Sequence, residues 1–131
     1  MKVMCFGTFD MFHPGHEYFL NEAKKFGNEL VVVVARDKTV NEIKGFYPKE
    51  DEKKRLQNII DSKIAEKVVL GDEILNKYNV LGEKPDIIAL GYDQKYFLEH
   101  LQDELNKRNL KTKIVRLDSF HPEKYKSSKL R

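Results

Sequence analysis

His13 and His16 stand three residues apart in the stretch Gly7-Thr8-Phe9-Asp10-Met11-Phe12-His13-Pro14-Gly15-His16. On one helical turn that spacing points two imidazoles the same way. The loop is neither a P-loop, which ends in Gly-Lys-Ser/Thr, nor a GxGxxG dinucleotide fingerprint. It shares their physical plan, a small-residue turn entering a helix whose first amides lack internal partners and carry partial positive charge. Phosphate oxygens are favoured at such a point. Pro14 is accepted in a first helical turn, and Gly15 lets a ligand approach the backbone closely. Two imidazoles over a phosphate can stabilise the charge that grows at phosphorus during a displacement. Two other uses of the pair stay open. With His121 or a carboxylate as third ligand they could hold a metal; otherwise they are solvated or cap the helix.

The elements that must position this loop follow from the apolar pattern. Val3-Met4-Cys5-Phe6 is a short apolar run ending at Gly7, and Leu30 to Ala35 is a continuous, largely β-branched run. Both predict strands covered on two faces. Lys67 to Leu70, Asp86 to Leu90 and Lys113 to Leu117 predict three more. Between them, helical spacing predicts a helix over about Gly15 to Phe26, burying Phe19, Leu20, Ala23 and Phe26. A second runs from about Lys49 to Ser62 on a stripe of Leu56, Ile59 and Ile60, and a third from Lys95 to Lys107 on Phe97, Leu98, Leu101 and Leu105. Asp72 is a plausible N-cap for a further short helix. Strands alternating with helices imply right-handed crossovers and a parallel sheet. The expected fold is an α/β, Rossmann-like, doubly wound five-stranded parallel sheet with helices on both faces, a single domain over residues 1–131. In such folds ligands bind beyond the carboxyl ends of the strands where strand order reverses. The loop after the fourth strand then faces the histidines, and its Asp93 could accept hydrogen bonds from a ribose or base, help hold a metal, or cap the helix from Lys95.

Composition removes several classes. Of 131 residues 40% are hydrophobic and 34% charged, a balance suited to one globular domain. The longest apolar run, Leu30 to Ala35, is far too short to span a membrane, and Val3 to Phe6 is too short for a signal-peptide core. Cys5 is the only cysteine, so no internal disulfide is available and a cytoplasmic location is expected. Its apolar setting makes it a core residue rather than a nucleophile. A net charge of +3 without a basic block gives no reason to expect nucleic acid as a partner.

Gly7-Thr8-Phe9-Asp10 with His13-Pro14-Gly15-His16 resembles the signature of the cytidylyltransferase-like nucleotidyltransferase superfamily, whose HxGH motif lies against a nucleoside triphosphate. Val31-Val32-Val33-Val34-Ala35-Arg36-Asp37 and Lys84-Pro85-Asp86-Ile87-Ile88-Ala89-Leu90-Gly91-Tyr92-Asp93-Gln94 extend the resemblance towards the archaeal FAD synthase branch. The resemblance implies in-line attack of an acceptor phosphate on the α-phosphorus of a nucleotide, release of pyrophosphate, a divalent ion such as Mg2+, and a homodimer. It implies that His13, His16 and Lys44 are catalytic, and that Thr8 and Phe9 touch the nucleotide. Asp10 belongs to the same motif, although a loop carboxylate also caps turns. Arg55 matches a family arginine at the start of the helix after the loop; otherwise it lies on a solvated helix face, as Lys44 otherwise faces solvent.

Many relatives carry an Arg-Thr-Glu-Gly-Ile-Ser-Thr-Thr-like stretch near the C-terminus. The counterpart here, Tyr125-Lys126-Ser127-Ser128-Lys129, keeps two hydroxyls and adds lysines but lacks the leading arginine and the glycine. Ser127 and Ser128 could still cap a helix and bind phosphate. The resemblance therefore points to transfer of AMP from ATP to FMN. Two alternatives share its phosphate-binding parts: a CTP-dependent cytidylyltransferase acting on glycerol 3-phosphate or another polyol phosphate, and a nucleotide-binding protein without turnover. Tyr92, Phe120 and Tyr125 either pack the tail onto the domain or stack on a ligand, and in the second case they favour a flat ring over a polyol, because aromatics stack on rings.

Overall fold

The computed structural model describes residues 1–73, 78–91 and 97–117. Five strands, β1 (Lys2–Gly7), β2 (Glu29–Val34), β3 (Lys67–Leu70), β4 (Ile87–Leu90) and β5 (Lys113–Arg116), alternate with helices α1 (Pro14–Lys24), α2 (Asp37–Lys44), α3 (Glu52–Ser62) and α4 (Phe97–Lys107). They form one sheet in the order β3-β2-β1-β4-β5, with every pairing parallel. The order reverses at β1, so the switch point lies between β1 and β4, as the sequence pattern implies.

Alternation along the strands builds two cores. Val3 and Cys5 of β1, Leu30, Val32 and Val34 of β2, and Ile87 and Ala89 of β4 meet Leu20 and Ala23 of α1 and Ile59 of α3. Met4 and Phe6, Val31 and Val33, and Ile88 and Leu90 point the other way, onto Leu101 and Leu105 of α4 and onto Tyr78 and Leu81 around a 3-10 turn at Asn79–Glu83. Helices on both faces are thus observed. Cys5 is fully buried, and burial pushes its thiol pKa up, consistent with a packing role.

Several expectations need correction. The chain makes a helix, α2, that hydrophobic periodicity does not announce, because its apolar residues are only Val40 and Ile43. On α3 the inward stripe runs through Arg55 and Ile59, one turn apart, with Leu56 partly buried beside them, while Ile60 is 44% exposed. Helix α1 stops at Lys24, leaving Phe26 40% exposed beyond it. The short helix expected after Asp72 falls on residues 74–77, outside those described; so do the start of the Lys95 helix, with Phe97 and Leu98 described only in backbone, and residues 118–131.

Candidate active site

Strand β1 delivers Gly7 to the carboxyl edge of the sheet, and the chain then turns through two non-glycine residues in the left-handed region, Phe9 (φ 54°) and Met11 (φ 49°). Such residues cost of order 1–3 kcal/mol each and persist only where the surroundings hold them. Phe9 is held as a core residue, 4% exposed and packed against Phe19 at 6.2 Å between ring centroids. Its ring folds back over Gly7, where an added Cβ would meet Phe9 Cζ at 2.6 Å. We expect Gly7→Ala to push this ring aside and to destabilise the protein by about 1–3 kcal/mol, as overpacked cores do. The urea unfolding midpoint measures it, and an unchanged midpoint would mean the ring relaxes freely.

The histidines are joined to the helix and to each other. His13 is the N-cap of α1: its Nδ1 accepts from Gly15 N at 3.1 Å, and His16 Nδ1 accepts from His13 N at 3.3 Å, closing a reciprocal capping box. Capping, one of the uses left open by the sequence, is therefore real, but it consumes only one nitrogen per ring. Each Nδ1 lone pair is given to a backbone amide, so in each ring the proton sits on Nε2, which remains as a donor. The rings stack at 3.7 Å, and Phe9 (edge-on, 5.5 Å) and Phe12 (stacked, 5.8 Å) flank His16. His16 is pushed down to a pKa of about 4, first by burial and then by His13, against an opposite pull from Asp10, with a last small push down from Lys44. Above pH 5 it is a neutral N–H donor. Lys44, in the last turn of α2, is exposed, and its charge is felt at His16.

Asp10 takes the turn-capping alternative. Its two oxygens accept from Lys49 N at 2.8 Å and Glu50 N at 3.0 Å, while Glu50 Oε1 accepts from Met11 N at 3.0 Å. Burial raises the Asp10 pKa, but these two amide bonds and the nearby Arg55 charge outweigh it, so the net shift is downward. Arg55 differs most from both readings offered by the sequence. It is neither solvated nor open to a ligand: its side chain is fully buried. Its Nε donates to Glu50 O (3.0 Å), Nη1 to Thr8 O (2.9 Å) and Ala35 O (2.7 Å), and Nη2 to Asp37 Oδ1 (2.6 Å). The guanidinium thus ties the ends of β1 and β2 to the loop before α3. Phe9, being buried, offers a ligand backbone rather than ring, and Thr8 is half-buried beside it with its carbonyl engaged by Arg55. Asp37, Glu50 and Glu52, which accepts from Asp37 N at 2.9 Å, complete this frame and were not singled out by motif. Their signal is weak: acidic residues just past a strand or before a helix are ordinary caps. Asp93, Tyr125, Ser127 and Ser128 lie outside the described residues, as do Tyr92, Gln94, Phe120 and His121.

No group of three or more His, Cys, Asp or Glu able to hold a metal occurs among the described residues. With Nδ1 accepting from an amide and Nε2 carrying the proton, neither histidine has a lone pair to give a metal, so these residues fit an ion that arrives on a nucleotide's phosphates better than a resident one. Among the described residues no helix is long and apolar enough to cross a membrane.

A parallel sheet reversing at β1, with an HxGH helix start at its carboxyl edge, defines a nucleotidyl-transferring enzyme. Residues 4–131 match the cytidylyltransferase-like family, and the chain belongs to it. Among its relatives, proteins named FAD synthase stand out. The one from Thermoplasma volcanium is 44% identical over all of this chain and 92% of its own length, and the one from Archaeoglobus profundus is 44% identical over 98% and 81%. A solved structure described as the lipopolysaccharide core biosynthesis protein from Thermoplasma volcanium superposes with a TM-score of 0.83 at 44% identity, covering 92% of this chain and 98% of that one. Pantoate-beta-alanine ligase from Francisella tularensis (TM-score 0.61, 15% identity, covering 92% of this chain and 60% of that one) shares the fold.

Proposed function

We propose that the protein is an FMN adenylyltransferase, joining the AMP part of ATP to FMN. The observation that carries the acceptor and the nucleotide is the 44% identity, over nearly the whole chain, to relatives named FAD synthase. The reaction type is supported by the stacked histidines, whose Nε2–H groups are both left over from capping. A phosphate oxygen of FMN attacks the α-phosphorus of ATP, forming the new P–O–P link. The bond from the α-phosphorus to the bridging oxygen breaks, and pyrophosphate leaves with that electron pair. Negative charge builds on the oxygens of the α-phosphorus and on the leaving group. Fixed donors there lower the barrier without taking up a proton, which suits a ring that is neutral at working pH. Lys44 would add a positive charge on the same side, and the amides at the start of α1 would hold phosphate oxygens. Asp10 and Arg55 would act by fixing the loops, and Asp93, Tyr125, Ser127 and Ser128 remain part of the proposed nucleotide site. A divalent ion such as Mg2+, carried by the triphosphate, would offset its charge. The homodimer belongs to the same reading, with sedimentation as its measure.

Pyrophosphate release with each of the four nucleoside triphosphates, offered FMN or glycerol 3-phosphate, tests the proposal. FAD from ATP and FMN is expected. CDP-glycerol without any FAD would move the protein to the polyol phosphate reading, and nucleotide binding without pyrophosphate to one without turnover.

A further inference from the structure

Six large hydrophobic side chains are exposed on the described surface, and three of them, Met11 (54%), Phe46 (60%) and Tyr47 (64%), belong to two loops clamped together. The clamp is Asp10 on Lys49 N and Glu50 N, answered by Glu50 on Met11 N. The other end of the second loop is equally fixed. Lys44 ends α2 near enough for its charge to act on His16, and Gly45, at φ 84° with its N–H on Asn41 O, turns the chain out of the helix. Phe46, Tyr47 and Pro48 therefore span a short gap between two anchors that both adjoin the histidine loop. Single exposed apolar residues need no explanation, but a group of them at the rim of a phosphate site does. These rings contribute nothing to either core.

We infer that Phe46 and Tyr47 form the stacking rim for the flat ring system of the acceptor, and so select a flavin phosphate over a polyol phosphate. The inference rests on the proposal that FMN is the acceptor. A tricyclic isoalloxazine would cover the two rings and desolvate them; a polyol would leave both in water. The Lys44 charge at the base of the same loop leaves the rim one cation on its phosphate side.

Flavin fluorescence reads this contact directly, because a phenol stacked on isoalloxazine quenches it by electron transfer. The chain has no Trp. Of the described tyrosines, Tyr78 is buried and Tyr18 half-buried, so Tyr47 is the exposed one. Titrating FMN with the wild-type protein should quench its emission, and Tyr47→Leu should remove most of that quenching. Phe46→Ala/Tyr47→Ala should raise KM for FMN about 10-fold, in the range of one to two lost aromatic contacts, with kcat and KM for ATP within two-fold. Tyr47→Phe should keep the wild-type KM. Both positions are exposed, and an unchanged thermal midpoint verifies folding. An unchanged KM for FMN in the double variant overturns the inference. So does a rise confined to ATP, which would make the rim a base site, or a change of oligomeric state alone, which would make it a contact between copies. If the wild type makes no FAD, the functional proposal fails on its own, and the titration still decides the rim: no quenching by the wild type overturns it.

Discussion

His16→Ala should lower turnover by about 10²–10³-fold, the usual loss when one fixed donor to a developing negative charge is removed, while the protein remains folded. The side chain has two jobs on two nitrogens. Its Nδ1 accepts from His13 N, and losing that cap costs about 1 kcal/mol. Its Nε2–H is the donor that the reaction loses. Because burial first, and then the His13 charge, hold the ring near pKa 4, kcat should show no limb from His16 between pH 5 and 8. The same shift acts on stability. The folded value lies below the ordinary 6.5, so the unfolded chain takes up the proton first as pH falls. The stability this ring contributes is complete above 6.5 and is lost progressively towards pH 4. In His16→Ala that part of the acid slope of Tm should disappear. Wild-type turnover in the folded variant would remove His16 from the chemistry.

The second large effect concerns stability rather than rate. Arg55→Ala should cost about 3–5 kcal/mol, because several hydrogen-bond acceptors are left unpaired at about 1–3 kcal/mol each where they stay dry, and lower Tm by roughly 10–20 °C in a domain of this size. Three backbone carbonyls, of Thr8, Ala35 and Glu50, and the Asp37 carboxylate lose their donor together. Arg55→Lys should rescue little, since one ammonium cannot reach acceptors arranged around a planar fork. Differential scanning calorimetry measures the loss. A variant with the wild-type Tm but weakened ATP binding would show that the guanidinium reaches the nucleotide after all.

Residue patterns carried the sheet and the position of the site further than they carried the roles within it. The runs Val3–Phe6 and Leu30–Ala35 could only be interior strands, and a first strand followed by Gly7 and a Pro-Gly helix start placed the histidines at the carboxyl edge. Helix α2 escaped notice because two apolar residues in eight do not make a periodic stripe. Arg55 escaped because arginine is almost never fully buried. What pays for its burial is mostly backbone carbonyl oxygen, which no pattern of side chains reveals. Asp10 was evenly poised between ligand and cap, and two amides 39 and 40 residues away in sequence decided it. The rings at positions 9, 12, 16 and 19 do carry a signal that motif reading passed over. Phe9 and Phe12 both lie against His16, and Phe19 reaches the group through Phe9.

The central strand belongs to both cores, with Val3 and Cys5 in one and Met4 and Phe6 in the other. Its neighbours on either side, β2 and β4, divide their residues in the same way. Neither layer of helices can come away without stripping one face from all three strands, so the two layers unfold cooperatively as one unit rather than as separate foldons. The loop that carries the histidines grows directly out of this strand. Partial melting at the sheet margins, at β3 or β5, would leave the histidine loop standing, and activity on heating would follow the collapse of the whole sheet rather than the fraying of its edges.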